Sequence, residues 1–413
     1  MDIQIVITFI IVITMIALFM LNRFQMYQVF LASVVLLWIF NIVSLRDIFE
    51  SFINETIFMI AMLFPVITVI QQSTDFKTLL YRLMVKAQSY RQVVVRMMTF
   101  TSLFSAFFNN TPLVMMMIPI IKKWGMRSNI PASKLLIPLS YAAIVGGMCT
   151  LIGTATNLIV SSLLEQSGYE RLHMFELSVI GVPIVVVTMM YVALTGNQLL
   201  PALPNKRLSG TKEQLLTIHS KKQRLNVLLF FIMLLIVSFQ QVTMFQAMFI
   251  LLMIYLFNRS LRFKNAISSI NWRLLTIVGS SSVLAIALIN SGTTNVLADW
   301  LIKNVKHEYV LLLIIYSLTN VLTEFISNYG AAAFIFPIAL SLSSELSLNI
   351  MPFAVAIAIA ASASFSTPIG YQTNLLIYEK GGYRFVHFLK IGLSLNILIM
   401  LITLVLIPIF WNF

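Results

Sequence analysis

Long apolar segments separated by short polar ones make up most of this chain. Continuous apolar runs of roughly 17–25 residues predict membrane-spanning helices. A membrane β-barrel would instead show alternating segments of about ten residues. The pattern therefore predicts an all-α polytopic membrane protein, with spans near 3–21, 28–44, 56–72, 177–199, 225–238, 243–257, 271–291 and 386–411.

Two apolar segments carry polar residues at their centre, where an ordinary span would not. They are Ser105–Pro119, SAFFNNTPLVMMMIP, and Thr323–Pro337, TEFISNYGAAAFIFP. Each places a hydroxyl residue four positions before a polar cluster and ends on a proline. Each position in the first segment lies 218 residues before its match in the second. Polar side chains in apolar surroundings are costly unless they bind something. Because basic residues flank the first segment on both sides, we predict re-entrant hairpins at 99–121 and 309–343.

Two further segments are longer than one span requires and are interrupted by small and polar residues. They lie at 135–165 and 352–378, and Thr150-x-x-Gly153-x-x-x-Asn157 in the first matches Thr367-x-x-Gly370-x-x-x-Asn374 in the second. Broken helices are tolerated at membrane depth only where they are buried or line a cavity. The pattern therefore predicts two interrupted helices that face the interior of the protein.

The distribution of charge gives the predicted topology. The chain is 59% hydrophobic and 10% charged, with a mean hydropathy of +0.94 and a net charge of +13. Most Lys and Arg residues lie between apolar runs, as the positive-inside rule describes, so the positive charge does not indicate nucleic-acid binding. We place the basic segments on the cytoplasmic side and both termini outside, in the cell (inner or plasma) membrane. The basic segments are 73–98, 122–134, 200–224, 258–273 and 379–390.

These elements divide the chain into two similar halves. Residues 1–199 and 225–413 each hold five spans, counting the interrupted helix, and one hairpin, and residues 200–224 form a cytoplasmic linker. An odd number of spans forces the halves into opposite orientations. The sequence therefore predicts two inverted repeats.

Hairpin tips and helix breaks expose backbone groups that bind ions. Helix N-termini favour anions, and freed carbonyl, hydroxyl and amide oxygens coordinate sodium at the midplane of secondary transporters. The alternative is that these polar residues only join helices, as small polar residues often do in membrane bundles. Glu324, the one acid inside a hairpin, is either a proton or cation site or a structural partner for a nearby hydroxyl or backbone group.

Other chemistry has little support in the sequence. The four histidines lie in predicted loops or at span ends without HExxH or paired spacing. Neither a nucleophile–base pair nor a metal-ligand cluster is present in the pattern. We therefore predict that the protein is not an enzyme and needs no cofactor.

The motifs NNTPLVMMMIP, SYAAIVGGMCTLIGTATN, TEFISN and ASASFSTPIGYQTN resemble those of the divalent-anion/sodium symporter family, within the ion transporter superfamily. The likeness covers both halves and is greatest to the bacterial sulfate-permease-like branch. It implies sodium ions as coupling ions, a small anionic substrate such as sulfate or a dicarboxylate, an elevator-type motion and a homodimer in the lipid bilayer.

The resemblance also implies roles for particular residues. It assigns one sodium site to Ser105, Asn109 and Asn110 with the backbone at Gly147 and Gly153, and a second to Thr323, Ser327 and Asn328 with Ser366 and Gly370. The implied anion contacts are Asn110, Thr111, Asn328, Tyr329, Thr367 and Pro368, and the supporting residues are Thr150, Asn157, Asn374 and Glu324. Asn109 stands where the family often has Ser, a change that keeps an oxygen. Tyr329 stands where the family has Thr or Asn, and its phenol would either narrow the pocket or turn away and leave one donor missing.

Three functional hypotheses follow. The main one is sodium-coupled symport of a small divalent anion. The second is a cation/proton antiporter or arsenite-type permease of the same superfamily, with Glu324 as the proton carrier. The third is a membrane scaffold or sensor that does not transport.

Overall fold

A computed structural model describes residues 3–21, 24–53, 55–71, 89–108, 110–128, 130–203, 221–238, 242–293, 296, 307–325 and 327–413. Every regular element in these residues is a helix, which confirms the all-α prediction. The spacing of Lys and Arg predicts an amphipathic helix over 77–98, of which residues 77–88 lie outside the described residues. Most of the linker at 200–224 and nearly all of 294–306, where a short amphipathic stretch is predicted, also lie outside them.

The helices of the first half follow the predicted order. They are α1 Ile3–Leu21, α2 Met26–Ile39, α3 Leu45–Phe52, α4 Glu55–Gln71, α5 Tyr90–Ser105, α6 Asn110–Ser128, α7 Ser133–Gly147, α8 Ala155–Gln166 and α9 Ser178–Leu199. Four stretches are long and apolar enough to cross a membrane, namely Ser178–Leu199, Glu308–Phe325, Phe385–Phe410 and residues 45–70, a range that includes the undescribed residue 54.

The second half repeats this order. Its helices are α10 Lys221–Ser238, α11 Met244–Phe257, α12 Phe263–Ser269, α13 Trp272–Asn290, α14 Glu308–Phe325, α15 Asn328–Glu345, α16 Met351–Ser362, α17 Gln372–Gly381 and α18 Phe385–Phe410. α10 begins at Lys221, four residues before the predicted start of the span at 225.

Two short helices, α3 and α12, are absent from the sequence prediction. The acidic segment between the second and third predicted spans forms α3, and the span predicted at 28–44 ends its helix at Ile39. Ser44 caps α3, because its hydroxyl accepts a hydrogen bond from the Asp47 amide while the Asp47 carboxylate accepts one from the Ser44 amide. This reciprocal arrangement is a capping box, and the Ser-x-x-Asp spacing was available in the sequence.

The arms of the first hairpin are longer than predicted. α5 starts at Tyr90 and α6 continues to Ser128, whereas the prediction covered 99–121. In α5, Val94 and Met97 are buried while Arg91 and Arg96 are exposed. A helix with one apolar face remains stable where basic residues occupy its other face. The basic residues on either side of 99–121 therefore do not mark the ends of the two arms.

The two interrupted helices lie at the centre of the protein. Every residue from Leu135 to Gly147 in α7 is buried, and so is every residue from Pro352 to Ser362 in α16. α7 packs against α5 and α16 packs against α14, so each broken helix contacts the hairpin of its own half. A smaller apolar cluster formed mainly by α1, α2 and α13 lies beside this core. The interruptions in these two helices therefore lie next to deeply buried helical segments.

Candidate transport site

The first broken helix is held open by a single asparagine. α7 ends at Gly147 and α8 begins at Ala155, and residues 148–154 between them are called break 1. The Asn157 side-chain amide donates to the Gly147 carbonyl at 3.2 Å and to the Thr150 carbonyl at 2.8 Å. The Gly153 amide donates to the Thr150 hydroxyl at 3.1 Å. Asn157 therefore satisfies carbonyls that the end of α7 leaves without a helical partner.

The second broken helix repeats these bonds. Residues 363–371, between α16 and α17, are called break 2. The Asn374 amide donates to the Ser364 carbonyl at 2.9 Å and to the Thr367 carbonyl at 3.2 Å, and the Gly370 amide donates to the Thr367 hydroxyl at 3.1 Å. Each donor and acceptor is the counterpart of one in break 1, so the two breaks are built on one pattern.

The first hairpin turns between Ser105 and Asn110, and residues 105–111 are called tip 1. The Ser105 hydroxyl lies 2.6 Å from the Ala143 carbonyl oxygen and also contacts the side-chain oxygen of Asn110. All three groups are buried. Tip 1 therefore brings three oxygens together inside the protein.

The second hairpin repeats this arrangement in residues 323–329, called tip 2. The Thr323 hydroxyl lies 2.5 Å from the Ala361 carbonyl oxygen and 2.9 Å from the side-chain oxygen of Asn328. Thr323 and Ala361 are fully buried and Asn328 nearly so. The same three types of oxygen converge in both halves.

These oxygen triads have a chemical consequence. A hydroxyl has one hydrogen to donate, while the carbonyl and amide oxygens only accept. Each triad therefore holds three oxygens with one hydrogen among them, which leaves lone pairs facing one another. A hard cation that takes oxygen ligands suits such an arrangement, and sodium is bound in this manner by freed carbonyls in broken-helix transporters.

The residues predicted for the first sodium site lie close together. A Cβ atom added to Gly147 would lie 3.0 Å from the Asn110 side-chain nitrogen, and one added to Gly153 would lie 2.5 Å from the Gly147 carbonyl oxygen. Ser105 completes this group through Asn110. Asn109 lies outside the described residues.

The second predicted sodium site is brought together only in part. A Cβ atom on Gly370 would lie 2.6 Å from the Thr323 carbonyl oxygen, so Thr323, Asn328 and Gly370 are neighbours. The Ser327 hydroxyl instead accepts a hydrogen bond from the Gly330 amide as the N-cap of α15. The Ser366 hydroxyl faces the Asn396 side chain, which donates to it at 2.9 Å.

The Glu324 side chain extends from tip 2 into break 2. It is 7% exposed, and its carboxylate accepts five hydrogen bonds of 2.7–3.2 Å, from the Ser364 hydroxyl, the Asn396 amide and the backbone amides of Phe365, Ser366 and Thr367. The counterpart of Glu324 in the first half is Ala106, whose carbonyl accepts from the Thr150 hydroxyl as the Glu324 carbonyl accepts from Thr367. These hydroxyl and backbone partners are the ones expected if Glu324 has a structural role.

The two halves meet through residues that the sequence prediction missed. The Asn110 amide donates to the Tyr371 hydroxyl at 2.6 Å, and the Thr111 hydroxyl donates to the Gln372 side chain at 3.2 Å. Tip 1 of the first half thus contacts the end of break 2 in the second half. α15, which starts in tip 2, packs against α8 after break 1. Tyr371 and Gln372 directly follow Gly370 in the motif GYQTN, which was the signal available in the sequence.

The remaining predicted anion contacts are buried or half-buried near this junction. Thr367 is 5% exposed and its hydroxyl is engaged by the Glu324 carbonyl. Pro368 is buried. Tyr329 is half-buried and contacts both apolar clusters of the protein, so its ring lies between the core and the α1–α2–α13 cluster.

A cavity of about 310 Å³ opens elsewhere, beside break 1. Leu151 of break 1 lines it, together with the acidic residues Glu55, Glu165 and Glu170 and with Arg171. None of the predicted anion-binding residues lines this cavity. We therefore centre the candidate site on the tips and breaks, where the repeated hydrogen bonds are.

A model of the family described as "Citrate transporter" matches residues 16–335 and 247–413 of this chain. The chain belongs to the citrate transporter family. The predicted membership of this superfamily of ion transporters is thereby confirmed, and the family and its relatives are transporters rather than enzymes. Several apolar helices agree with a multi-pass membrane protein.

Individual relatives match over different parts of the chain. Sodium/sulfate cotransporter 1 of Chlamydomonas reinhardtii is 34% identical over 168 residues, which are 39% of this chain and 19% of that protein. The chain thus spans about a fifth of that relative's length. An uncharacterized transporter of Haemophilus influenzae is 23% identical over 402 residues, 90% of this chain and 84% of that protein.

A solved structure shares the fold. The transporter YdaH of Alcanivorax borkumensis, whose crystal structure is described as having an unusual topology, superposes with a TM-score of 0.61 over 88% of each chain. The sequences are 15% identical in this alignment. The likeness therefore concerns the fold alone.

Proposed function

We propose that the protein is a secondary active transporter that couples sodium to the symport of a small divalent anion, sulfate-like or dicarboxylate. The observation that carries the proposal is the pair of buried oxygen triads, Ser105–Ala143–Asn110 and Thr323–Ala361–Asn328. Excess lone pairs at two matched positions suit two sodium ions. The names of the Chlamydomonas relatives support the same coupling.

The contacts of Glu324 argue against the antiporter alternative. Four of its five partners are N–H groups, which can only donate. A proton on Oε1 would displace one of three such donors, and a proton on Oε2 would require the Ser364 hydroxyl to turn and accept it. We therefore assign Glu324 to holding break 2 rather than to carrying protons.

Transport by this site requires alternating access to the two sides of the membrane. In the proposed inverted repeat, tip 1 would enter from the cytoplasmic side and tip 2 from outside, and the two tips would meet at the midplane. Binding of sodium to both triads would fix the tips against the breaks and complete the anion site between them. We propose an elevator-type motion of a homodimer in the cell membrane, as the family resemblance implies.

The test is uptake of labelled sulfate or succinate into proteoliposomes with and without a sodium gradient. Wild-type protein should show sodium-dependent uptake, and Ser105→Ala and Thr323→Ala should raise the half-saturating sodium concentration about tenfold. Ser102→Ala and Thr319→Ala are matched controls, because these buried hydroxyls lie on the same helices and bond to single carbonyls. Sodium/proton exchange without anion movement would favour the antiporter, and inactivity toward both anions would favour the scaffold.

A further inference from the structure

Tyr371 joins tip 1 of the first half to break 2 of the second half. It follows Gly370 at the end of break 2, and its hydroxyl accepts a hydrogen bond of 2.6 Å from Asn110 of tip 1.

The first half has no phenol at the matching position. The counterpart of Tyr371 is Thr154, the N-cap of α8, whose short side chain accepts from the Thr156 amide at 3.5 Å. Thr111 and Tyr329 are related in the same way across the halves. The second half therefore extends two ring hydroxyls where the first half has threonines, and the site is asymmetric at this level.

The hydrogens around Tyr371 do not balance within the protein. Asn110 uses one of its amide hydrogens on the phenol oxygen. The phenol has one hydrogen of its own to donate, and among the described residues it makes no hydrogen bond as a donor. A spare hydroxyl hydrogen beside Asn110 is a donor suited to an anion.

We propose that Tyr371 is an anion-contacting residue that sets specificity at the transport site. Its phenol hydrogen donates to an oxygen of the bound anion, while Asn110 donates into its oxygen and holds the ring in place. A neutral donor of this type recognises an oxyanion without retaining it by full charge. The proposal rests on the proposed function, because it assigns a contact to the same site.

Two further contacts fix the position of this donor. The neighbouring Gln372 side chain accepts from Thr111, which joins tip 1 to the residue next to Tyr371. Asn374, two positions further on, holds the break carbonyls and also accepts from Ser140 of α7 at 2.7 Å. A donor with a fixed orientation contributes more to anion binding than a mobile one, because less side-chain freedom is lost.

The experiment compares Tyr371→Phe with wild-type full-length protein in proteoliposomes and in a thermal-shift assay. Loss of a hydrogen bond to a charged ligand should raise the KM for sulfate, or for succinate if that is the anion transported, about tenfold. The half-saturating sodium concentration and the unfolding temperature without anion should stay near the wild-type values. Tyr191→Phe is the control, because it removes a phenol that bonds to Ile391 and Ser394 away from the site.

Each outcome decides between the proposals. If wild-type protein takes up the anion and Tyr371→Phe has an unchanged KM, the role of Tyr371 is overturned and the proposed function stands. If Tyr371→Phe lowers the unfolding temperature and weakens sodium and anion binding equally, Tyr371 is structural and the proposal is also overturned. If wild-type protein neither transports nor is stabilised by either anion, the proposed function fails first. A tenfold rise in KM with unchanged sodium response supports the assignment.

Discussion

The two breaks share one set of hydrogen bonds but differ in what occupies them. In break 1, the amides of Met148, Cys149 and Gly153 bond to carbonyls within the same turn or the preceding helix. In break 2, three consecutive amides point instead at the Glu324 carboxylate. The second half thus contains its own internal anion, whereas the first half has Ala106 at that position. A repeated framework therefore does not give two equivalent sites.

The difference has a physical basis in the local backbone. Break 1 continues as turns after α7, so the amides of Met148, Cys149 and Gly153 keep near-helical partners, and the Leu151 amide bonds to the Met174 carbonyl. α16 ends at Ser362 with Ala363 in a non-helical conformation, which frees the following amides and leaves them without backbone acceptors. Buried amides without acceptors are costly, and a carboxylate inserted from tip 2 satisfies them. Break 2 is therefore held by hydrogen bonds to a buried carboxylate. Break 1 is held instead by the close packing of Gly147 and Gly153.

The largest expected effect comes from removing the internal anion. Glu324→Ala should leave three backbone amides and Asn396 without acceptors, and should lower the free energy of unfolding by roughly 3 kcal/mol or more. The measurement is the unfolding temperature in detergent by size-exclusion chromatography. Glu345→Gln, at an exposed acid at the end of α15, should change stability by less than about 0.5 kcal/mol. A stable Glu324→Ala protein would mean that the two breaks are equivalent after all.

The next effect tests the glycine packing of break 1. In Gly153→Ala the new Cβ would meet the Gly147 carbonyl oxygen at 2.5 Å, a backbone atom that cannot turn away. In Gly147→Ala it would meet the Asn110 side-chain nitrogen at 3.0 Å, a milder contact. We expect a loss of about 2 kcal/mol for Gly153→Ala and about half that for Gly147→Ala, by the cost of overpacking. Equal unfolding temperatures for the two variants would contradict the close contact between the glycines.

The smallest effect compares the two asparagines. Asn157 and Asn374 each hold two break carbonyls, but the Asn374 oxygen also accepts from Ser140, while the Asn157 oxygen has no partner among the described residues. Asn374→Ala should therefore cost about 1 kcal/mol more than Asn157→Ala. In a Ser140→Ala background the difference should disappear, as a double-mutant cycle on unfolding would show. A difference that persists there would place the asymmetry elsewhere.

Several parts of the candidate site follow from the sequence because they are local. The spacing of Thr150, Gly153 and Asn157 fixes which carbonyls the asparagine reaches after one chain reversal, and the matching spacing in the second half gives the same bonds. The position of α3, with its Ser44 cap, was also available as a local signal and was overlooked. The opposite orientation of the halves stays a prediction.

Contacts between residues far apart along the chain could not be predicted from the sequence in this way. The composition and the apolar runs determine an all-α membrane protein, and the repeated motifs determine two tips and two breaks, because these depend on neighbours along the chain. That Tyr371 reaches Asn110 across 261 residues, and that Asn396 of α18 completes the Glu324 shell, was decided only by the tertiary structure. Packing sets which of many polar residues become neighbours, and a single sequence does not carry that distance information.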